Sequence, residues 1–282
     1  MASNVNCDNF IPQLWDASVL RTLEDNLVAK QICNVSGTEQ IKAFGDTVFF
    51  NGLSDPTVDD YTGTITYEAL VDSQVALLIN QQKYYAFKVT DPEQAMANVD
   101  LKGSQADRAA YSLKKACDTV IMGEYANAYH TVQDTTCTTT NILSDIGLAK
   151  QYLAENNVNE NDMYLVIPPW VQLKLELAGI VFSINEGING KGGMNWAKVL
   201  GFDVFVTNQV ANTNTTVAPY SQCLAGSYNS IVFADRLETS EMFRSQDTFE
   251  YYCRGLHIFG VKTVKPKELV KLDLRYTAET TI

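Results

Sequence analysis

The residues that most often carry chemistry in proteins, cysteine and histidine, are few in this chain and far apart. There is no C-x-x-C pair, and zinc sites need ligands that are clustered at short spacings. The sequence therefore predicts no metal site, reduced cysteines that are mostly buried as small hydrophobic residues, and structural rather than catalytic histidines. The residues concerned are Cys7, Cys33, Cys117, Cys137, Cys223, Cys253, His130 and His257.

Two further groups could be considered as sites. Asp59 and Asp60, with Glu68 and Asp72, could act as paired carboxylates in general acid–base catalysis, but their polar surroundings predict a solvated face. Lys191 lies in a glycine-rich segment, where the phosphate-loop pattern fails at its first glycine and at its final hydroxyl residue. The G-x-S-x-G, H-E-x-x-H and EF-hand patterns are missing as well. The sequence therefore predicts no catalytic residue, no cofactor and no enzyme activity.

The composition is that of a globular protein with an acidic surface. Of the 282 residues, 46% are apolar, and 33 acidic against 21 basic residues give a formal net charge of −12. The longest basic run is Lys114–Lys115, which argues against sequence-specific binding of nucleic acid. No apolar run approaches the ~20 residues of a membrane span, and the first residues lack the pattern of a secretory signal. We therefore expect a protein that stays where it is made, without disulfides.

The N-terminal segment predicts an amphipathic helix over residues 13–29. Its apolar stripe, together with Phe10 just before it, includes Leu14 and Trp15. Such a stripe must lie on other protein, either on the chain's own core or on a neighbouring subunit.

Residues 45–90 are β in character. Strands are predicted at residues 46–50, 64–70 and 73–89, around a polar, turn-rich stretch that contains Asp55, Asp59, Asp60 and Tyr61. A long hairpin with a polar tip cannot bury itself, and an isolated hairpin is marginal in water. We therefore expect this hairpin to project and to contact a partner.

The rest of the chain alternates between helices and strands. The clearest helix covers residues 104–128, where apolar or small residues recur with a period near 3.6, and it would be about 37 Å long. Further predictions are a loop or short strand at 131–140, a helix at 141–156, a strand at 162–167, a helix at 170–177, a glycine-rich loop at 185–193, a strand at 199–207, a polar loop at 211–218, a short strand at 230–234, and a β region at 251–276 with a kink at Pro266.

Six short motifs stand in this order of elements: Gly45-Asp-Thr-Val-Phe-Phe, Pro56-Thr-Val-Asp-Asp-Tyr, Ile65-Thr-Tyr-Glu, Tyr164-Leu-Val-Ile-Pro-Pro, Gly201-Phe-Asp-Val-Phe-Val-Thr-Asn and Gly260-Val-Lys-Thr-Val-Lys-Pro. With these motifs the chain resembles the major capsid proteins of tailed bacteriophages, which have the α+β, HK-type (Hong Kong phage) capsid fold. The resemblance covers nearly the whole chain. Each motif alone is a weak indication, because it belongs to the structural framework and is not a catalytic signature. The order and spacing of the motifs together make the resemblance specific.

The resemblance implies a division into an N-terminal arm (1–40), an extended β-hairpin called the E-loop (41–90), a peripheral domain with a spine helix (91–167), a compact axial domain (168–250) and a C-terminal return to the peripheral domain (251–282). It implies subunit contacts through the arm and the E-loop. The candidate contact residues are Phe10, Leu14, Trp15, Asp55, Asp59, Asp60 and Tyr61.

The resemblance also implies partners and a location. The protein would self-assemble into hexamers and pentamers of an icosahedral head that encloses double-stranded DNA, with a separate scaffolding protein and a portal as partners. It would meet DNA by non-specific proximity only and would contact no membrane. Assembly would take place in the cytoplasm of the host bacterium, and the assembled protein would reside in the virion.

Two departures from family patterns carry expectations of their own. Residues 46–82 contain no lysine, so no isopeptide cross-link from the E-loop is expected. The chain begins almost directly with the arm, so no cleaved scaffolding segment is expected.

The alternative function within the same fold is that of an encapsulin-type nanocompartment shell protein. From a different class, an enzyme or a carbohydrate-binding β protein would be favoured by a monomer of constant mass in solution.

Overall fold

The computed structural model describes residues 28–38, 41, 44–53, 60, 72–91, 101–179, 197–212, 220–245 and 249–277. Among the helices of these residues, none is both long enough and apolar enough to cross a membrane. Short 3-10 turns stand at Gly123–Asn127, Glu160–Asp162 and Pro266–Glu268. The elements in chain order are α1 (Ala29–Ile32), β1 (Thr47–Leu53), β2 (Asp72–Leu78), β3 (Gln81–Thr90), α2 (Leu101–Met122), β4 (His130–Cys137), α3 (Ile142–Glu155), β5 (Met163–Ile167), α4 (Pro169–Leu177), β6 (Ala197–Val199), β7 (Phe202–Val206), β8 (Ala211–Asn212), β9 (Tyr220–Ser227), β10 (Ile231–Arg244), β11 (Glu250–Thr263) and β12 (Leu269–Tyr276).

A seven-stranded sheet holds the larger hydrophobic core. Its strand order is β4-β12-β9-β5-β7-β6, with β8 paired to β9. The pairs β4–β12 and β5–β7 are parallel, and the other pairs are antiparallel. All five residues of β5, Met-Tyr-Leu-Val-Ile, are buried, as expected of a strand that is covered on both faces. Helix α3 packs against β4 and β12 with a buried stripe at helical spacing, formed by Ile142, Ile146, Ala149 and Leu153.

A second sheet is long and narrow. Its order is β10-β11-β3, all antiparallel, and β10 and β11 have 14 residues each. At ~3.3 Å per residue these strands are about 45 Å long. A register shift between Leu237 and Thr239 marks a bulge in β10. Helix α2 packs on β3 and β11, and its own residues Cys117 and Ile121 are buried.

The paired strands β1 and β2 are anchored on this long sheet. Ile79, just after β2, donates its N–H to Asp46 O and accepts from the N–H of Gly45, both at 3.0 Å. A small hydrophobic cluster then joins the base of the pair to β10 and β11. Its buried members are Ile41, Val48, Leu77, Ile79, Val232, Ala234 and Ile258.

Elements with a strong local pattern are confirmed. The helix predicted at 104–128 is α2 with its following 3-10 turn, and the helix predicted at 141–156 is α3. The strand at 162–167 and the helix at 170–177 are β5 and α4. The segment 131–140 contains all of β4 except its first residue, His130, and the polar segment 211–218 begins with the short strand β8.

Two strand predictions are wrong, and three strands, β6, β8 and β9, were not predicted. The single strand at 73–89 is two strands, because the chain changes partner at Ile79–Asn80 from β1 to β11, and alternation does not show which strand is the partner. The short strand at 230–234 is the start of the long β10. Strand β9 was missed because its residues are mostly small or polar, although all but its first are buried between β12 and β5.

Three predicted segments lie outside the described residues. They are the arm helix up to residue 27, the strand at 64–70 and the glycine-rich loop at 185–193.

Candidate functional site

One end of the long sheet exposes large apolar side chains. This end, here called the sheet tip, consists of residues 84–90, 241–244 and 249–256. Tyr84 is 78% exposed and Phe249 is 76% exposed, and Met242 and Phe243 are exposed as well. Large apolar side chains that are exposed along one half of a sheet are unusual on a protein that works alone, and they indicate a surface for contact with other protein.

Stacking and ion pairs hold the outer face of the sheet tip in place. Phe243 and Tyr252 are a directly opposed pair of β10 and β11, with ring centroids 5.6 Å apart and planes at 16°. The Arg254 guanidinium lies 5.3 Å from the Phe243 ring centroid and donates to Glu241 at 2.7 Å. Rings and arginines that are held in this way lose little further freedom on binding a partner.

A second arginine orders the end of the β10–β11 pair. Arg244 lies 6.0 Å from the ring centroid of Phe249 and 5.4 Å from that of Tyr251, and it donates to Asp91 at 2.7 Å. Tyrosine and arginine are the residue types enriched where binding energy concentrates in protein interfaces. The sheet tip therefore has the chemistry of a protein-binding surface.

The sequence-predicted contact residues are not brought together by the described residues. Asp60 is described and exposed, and nothing in the structure assigns it a partner. The remaining six, Phe10, Leu14, Trp15, Asp55, Asp59 and Tyr61, lie outside the described residues, so the contacts stay predictions. The sheet tip itself was missed, because its exposed residues come from three strands that are distant in the chain.

A cysteine, a histidine and an aspartate stand in line beside helix α2. The Cys117 Sγ is 3.6 Å from His257 Nδ1, and His257 Nε2 is 3.3 Å from Asp235 Oδ2. Lys30 also donates to Asp235, at 3.0 Å. These groups line a cleft of about 470 Å³ between α1, α2 and the long sheet, together with apolar residues such as Leu113 and Phe233. This order of groups is that of a nucleophile, a base and an orienting acid.

The electrostatics of this line oppose an activated nucleophile. Burial, together with the negative charges of Asp235 and Asp118, raises the pKa of Cys117 to about 12. Burial also raises the pKa of Asp235, but hydrogen bonds from His257 and Lys30 outweigh that effect and hold it below its ordinary value. Because the thiolate is the reactive form of cysteine, the arrangement is better described as a partly exposed Lys30–Asp235 ion pair with His257 and a neutral thiol beside it.

A different set of residues could hold a metal ion. Asp134, Cys137 and Asp145 are buried, and each places one ligand atom within 4.8 Å of those of the other two. The first two belong to β4 and the third to the first turn of α3. The sequence search missed this set, because it looked for clustered cysteine and histidine, and the carboxylates carry no such pattern.

Comparisons with known proteins agree on one family. The family model described as "Phage capsid protein" matches residues 73–272. No curated protein sequence matches the chain.

Solved structures with the same fold come from several bacteriophages. A chain of Mycobacterium phage Che8 is 22% identical, with a TM-score of 0.74 and coverage of 96% of this chain and 98% of that one. The capsid of Cyanophage P-SCSP1u is 16% identical, with a TM-score of 0.73 and coverage of 94% and 93%. The capsid of Ralstonia phage GP4 is 14% identical, with a TM-score of 0.68 and coverage of 89% of each chain.

Proposed function

The chain belongs to the phage capsid protein family as a structural major capsid protein, and from this premise we propose that it forms the hexamers and pentamers of an icosahedral head that encloses double-stranded DNA. The predicted HK-type capsid fold is confirmed, and the encapsulin alternative is not favoured. Membership of the family places the protein in the virion, as a subunit that assembles with copies of itself into a shell.

The observation that carries the proposal is the sheet tip. Its exposed rings Phe243 and Phe249 stand at one end of the long β10–β11 pair, and Tyr84 is exposed further along the same sheet. Subunits of a closed shell must contact several neighbours at fixed angles, and rigid elements set such angles better than loops do. We assign the sheet tip to a contact between neighbouring subunits.

The arm and the E-loop supply the other contacts in this proposal. Phe10, Leu14 and Trp15 would lie on a neighbouring subunit through the apolar stripe of the arm. Asp55, Asp59, Asp60 and Tyr61 would do so at the tip of the hairpin. The division into arm, E-loop, peripheral domain and axial domain belongs to the same proposal.

The proposal extends to partners and chemistry. A separate scaffolding protein and a portal would direct assembly in the host cytoplasm. The inner surface of the shell would lie near the packaged DNA without making specific contacts to it. The net charge of −12 supports the last point, because binding through phosphates needs a concentrated basic surface. The neutral Cys117 thiol supports a protein without catalytic activity.

Negative-stain electron microscopy tests the proposal. The wild-type protein would be imaged alone and after co-expression with its scaffold, beside the variants Phe249→Asp and, as a matched control that keeps the ring, Phe249→Tyr. Closed shells, tubes or capsomer rings are expected for the wild type and the Tyr variant, and loss of them for the Asp variant with an unchanged melting temperature of the free subunit. A wild type that stays monomeric in both conditions, at high concentration and moderate salt, would contradict assembly. Normal assembly of the Asp variant would remove the sheet tip from the contact.

A further inference from the structure

The junction between β4 and α3 buries three side chains of the metal-binding types. Asp134 and Cys137 lie in the last half of β4, and Asp145 lies in the first turn of α3. Asp134 and Asp145 are each only 9% exposed, and Cys137 is fully buried. Their ligand atoms all lie within 4.8 Å of one another, which is close enough for one ion to reach all three after small rotations.

The Asp134 carboxylate is held as an acceptor by groups of the same turn. The N–H of Thr136 donates to its Oδ1 at 2.8 Å, and the side-chain amide of Asn141 donates to its Oδ2 at 3.1 Å. The amide of Asn141 also donates to Thr136 O. The position of Asp134 is therefore fixed before any ion arrives, which is what a binding site requires.

The Asp145 carboxylate, in contrast, has one buried oxygen without a donor. Its Oδ2 is buried and finds no hydrogen-bond partner among the described residues, although the carboxyl group faces that of Asp134. Two carboxylates in contact can only both accept, so a buried pair is unstable unless a proton or a cation lies between them. The pKa of Asp145 is raised to about 7, first by burial and then by the hydrogen bond and charge of Asp134.

We propose that Asp134, Cys137 and Asp145 bind a divalent cation of the zinc type. Two carboxylate oxygens with one sulfur are a ligand set for a borderline-soft ion that accepts both, whereas Mg²⁺ and Ca²⁺ prefer oxygen alone. Binding displaces the proton between the two carboxyl groups and the proton of the Cys137 thiol, and both leave to solvent.

A buried lysine balances the charge of such a site. Two carboxylates, one thiolate and a divalent cation carry one net negative charge. The Lys174 ammonium is 3% exposed, and it donates to the main-chain carbonyl of Cys137 at 2.9 Å and to that of Thr277 at 2.8 Å. Its single positive charge neutralises the sum at the same junction. The Cys223 thiol also lies near Cys137, and it stays protonated because burial raises its pKa strongly.

The site would act as a clamp in the fold. It would tie the end of β4, which is an edge strand of the seven-stranded sheet, to the start of the helix that covers it. The inference does not rest on the proposed function, because it concerns the folding of a single chain.

Zinc titration of the purified full-length protein tests the inference. After treatment with EDTA and dialysis, ZnSO₄ would be added during calorimetry and thermal melting, at pH 7.5, to the wild type, Asp145→Asn and Cys137→Ser. We expect one zinc per chain, a melting temperature that rises with zinc concentration, and binding at least roughly tenfold weaker in both variants. Cys253→Ser, which removes another buried cysteine, serves as the control and should bind like the wild type.

Folding and ligation can be told apart. Asp145→Asn removes the negative charge that faces the Asp134 carboxylate, so without metal it should melt no lower than the wild type. Cobalt offers a second readout, since a sulfur-to-cobalt charge-transfer band should appear in the wild type and be lost in Cys137→Ser. A wild type that binds no zinc, or zinc binding that both variants retain, would overturn the proposal. If zinc has no effect but the melting temperature of the metal-free wild type changes with pH near 7, the two carboxyl groups hold a proton instead.

Discussion

Gly260 of β11 passes so close to Leu78 at the end of β2 that a Cβ on the glycine would stand 2.7 Å from Leu78 O. The same Cβ would be 2.9 Å from Ile79 Cδ1. Since Leu78 O belongs to the main chain of a strand that is paired with β1, it cannot move aside as the end of a side chain could. This approach lets the β1–β2 pair rest directly on the long sheet.

Gly260→Ala should therefore destabilise the protein by about 1–3 kcal/mol, as overpacking does in a well-packed core. Urea denaturation of the free subunit measures the change. Gly147→Ala is the control, because a Cβ on Gly147 of α3 meets nothing within 4 Å. Alanine there should stabilise by about 0.5–1 kcal/mol through its better helix propensity. Equal effects of the two substitutions would contradict the close approach.

The Asp235 ion pair should make stability depend on pH in the acid range. Its pKa is held below the ordinary 3.8 by His257 and Lys30, against the effect of burial. A depressed pKa means that the folded state binds the proton less tightly than the unfolded state. The contribution is therefore complete above the ordinary value and is lost as the pH falls through the folded-state pKa.

Asp235→Asn should lower the stability at pH 7 and flatten its decline below about pH 4. Urea melts across that range provide the measurement. Lys30→Met, which removes one of the two partners, should give an intermediate slope. If the stability of Asp235→Asn declines as steeply with falling pH as that of the wild type, other carboxylates cause the loss of stability in the acid range.

Cys117 should be inert in the folded protein. With its pKa raised to about 12 by burial and by two carboxylates, the thiolate fraction at pH 8 is on the order of a thousandfold below that of a free cysteine. Peptide mapping by mass spectrometry after alkylation should show slow labelling of Cys117 in the native state and fast labelling in urea. Rapid native labelling that is lost in His257→Gln would instead reveal an activated thiol and reopen the question of catalysis.

Lys174→Met should destabilise the protein by about 2–3 kcal/mol. The change removes a buried ammonium that donates to two carbonyls, and a hydrogen bond from a charged group is among the stronger ones. Lys150→Met is the control, because Lys150 pairs with the exposed Glu160 and surface pairs contribute little. If Lys174→Met and Lys150→Met change the urea midpoint equally, the stability of the β4–α3 junction does not depend on Lys174.

Much of the fold could be predicted wherever the pattern is local. Helix α3 repeats Ile142, Ile146, Ala149 and Leu153 at helical spacing, and β5 is an unbroken apolar run. Both elements were predicted to within a residue or two, because a helix with one buried face shows a helical period and a strand buried on both faces shows a continuous apolar run.

The sequence by itself determined the class of protein, through the order of these elements and their motifs, and it excluded the common catalytic patterns. Only the tertiary structure decided which strands are partners. It separated β2 from β3 at Ile79–Asn80, it buried the small and polar residues of β9, and it stacked Phe243 of β10 on Tyr252 of β11. It also brought Asp134 to Asp145. The reason is physical: a period along the chain reports that a face is buried, but the identity of what buries it depends on segments that are far away in sequence.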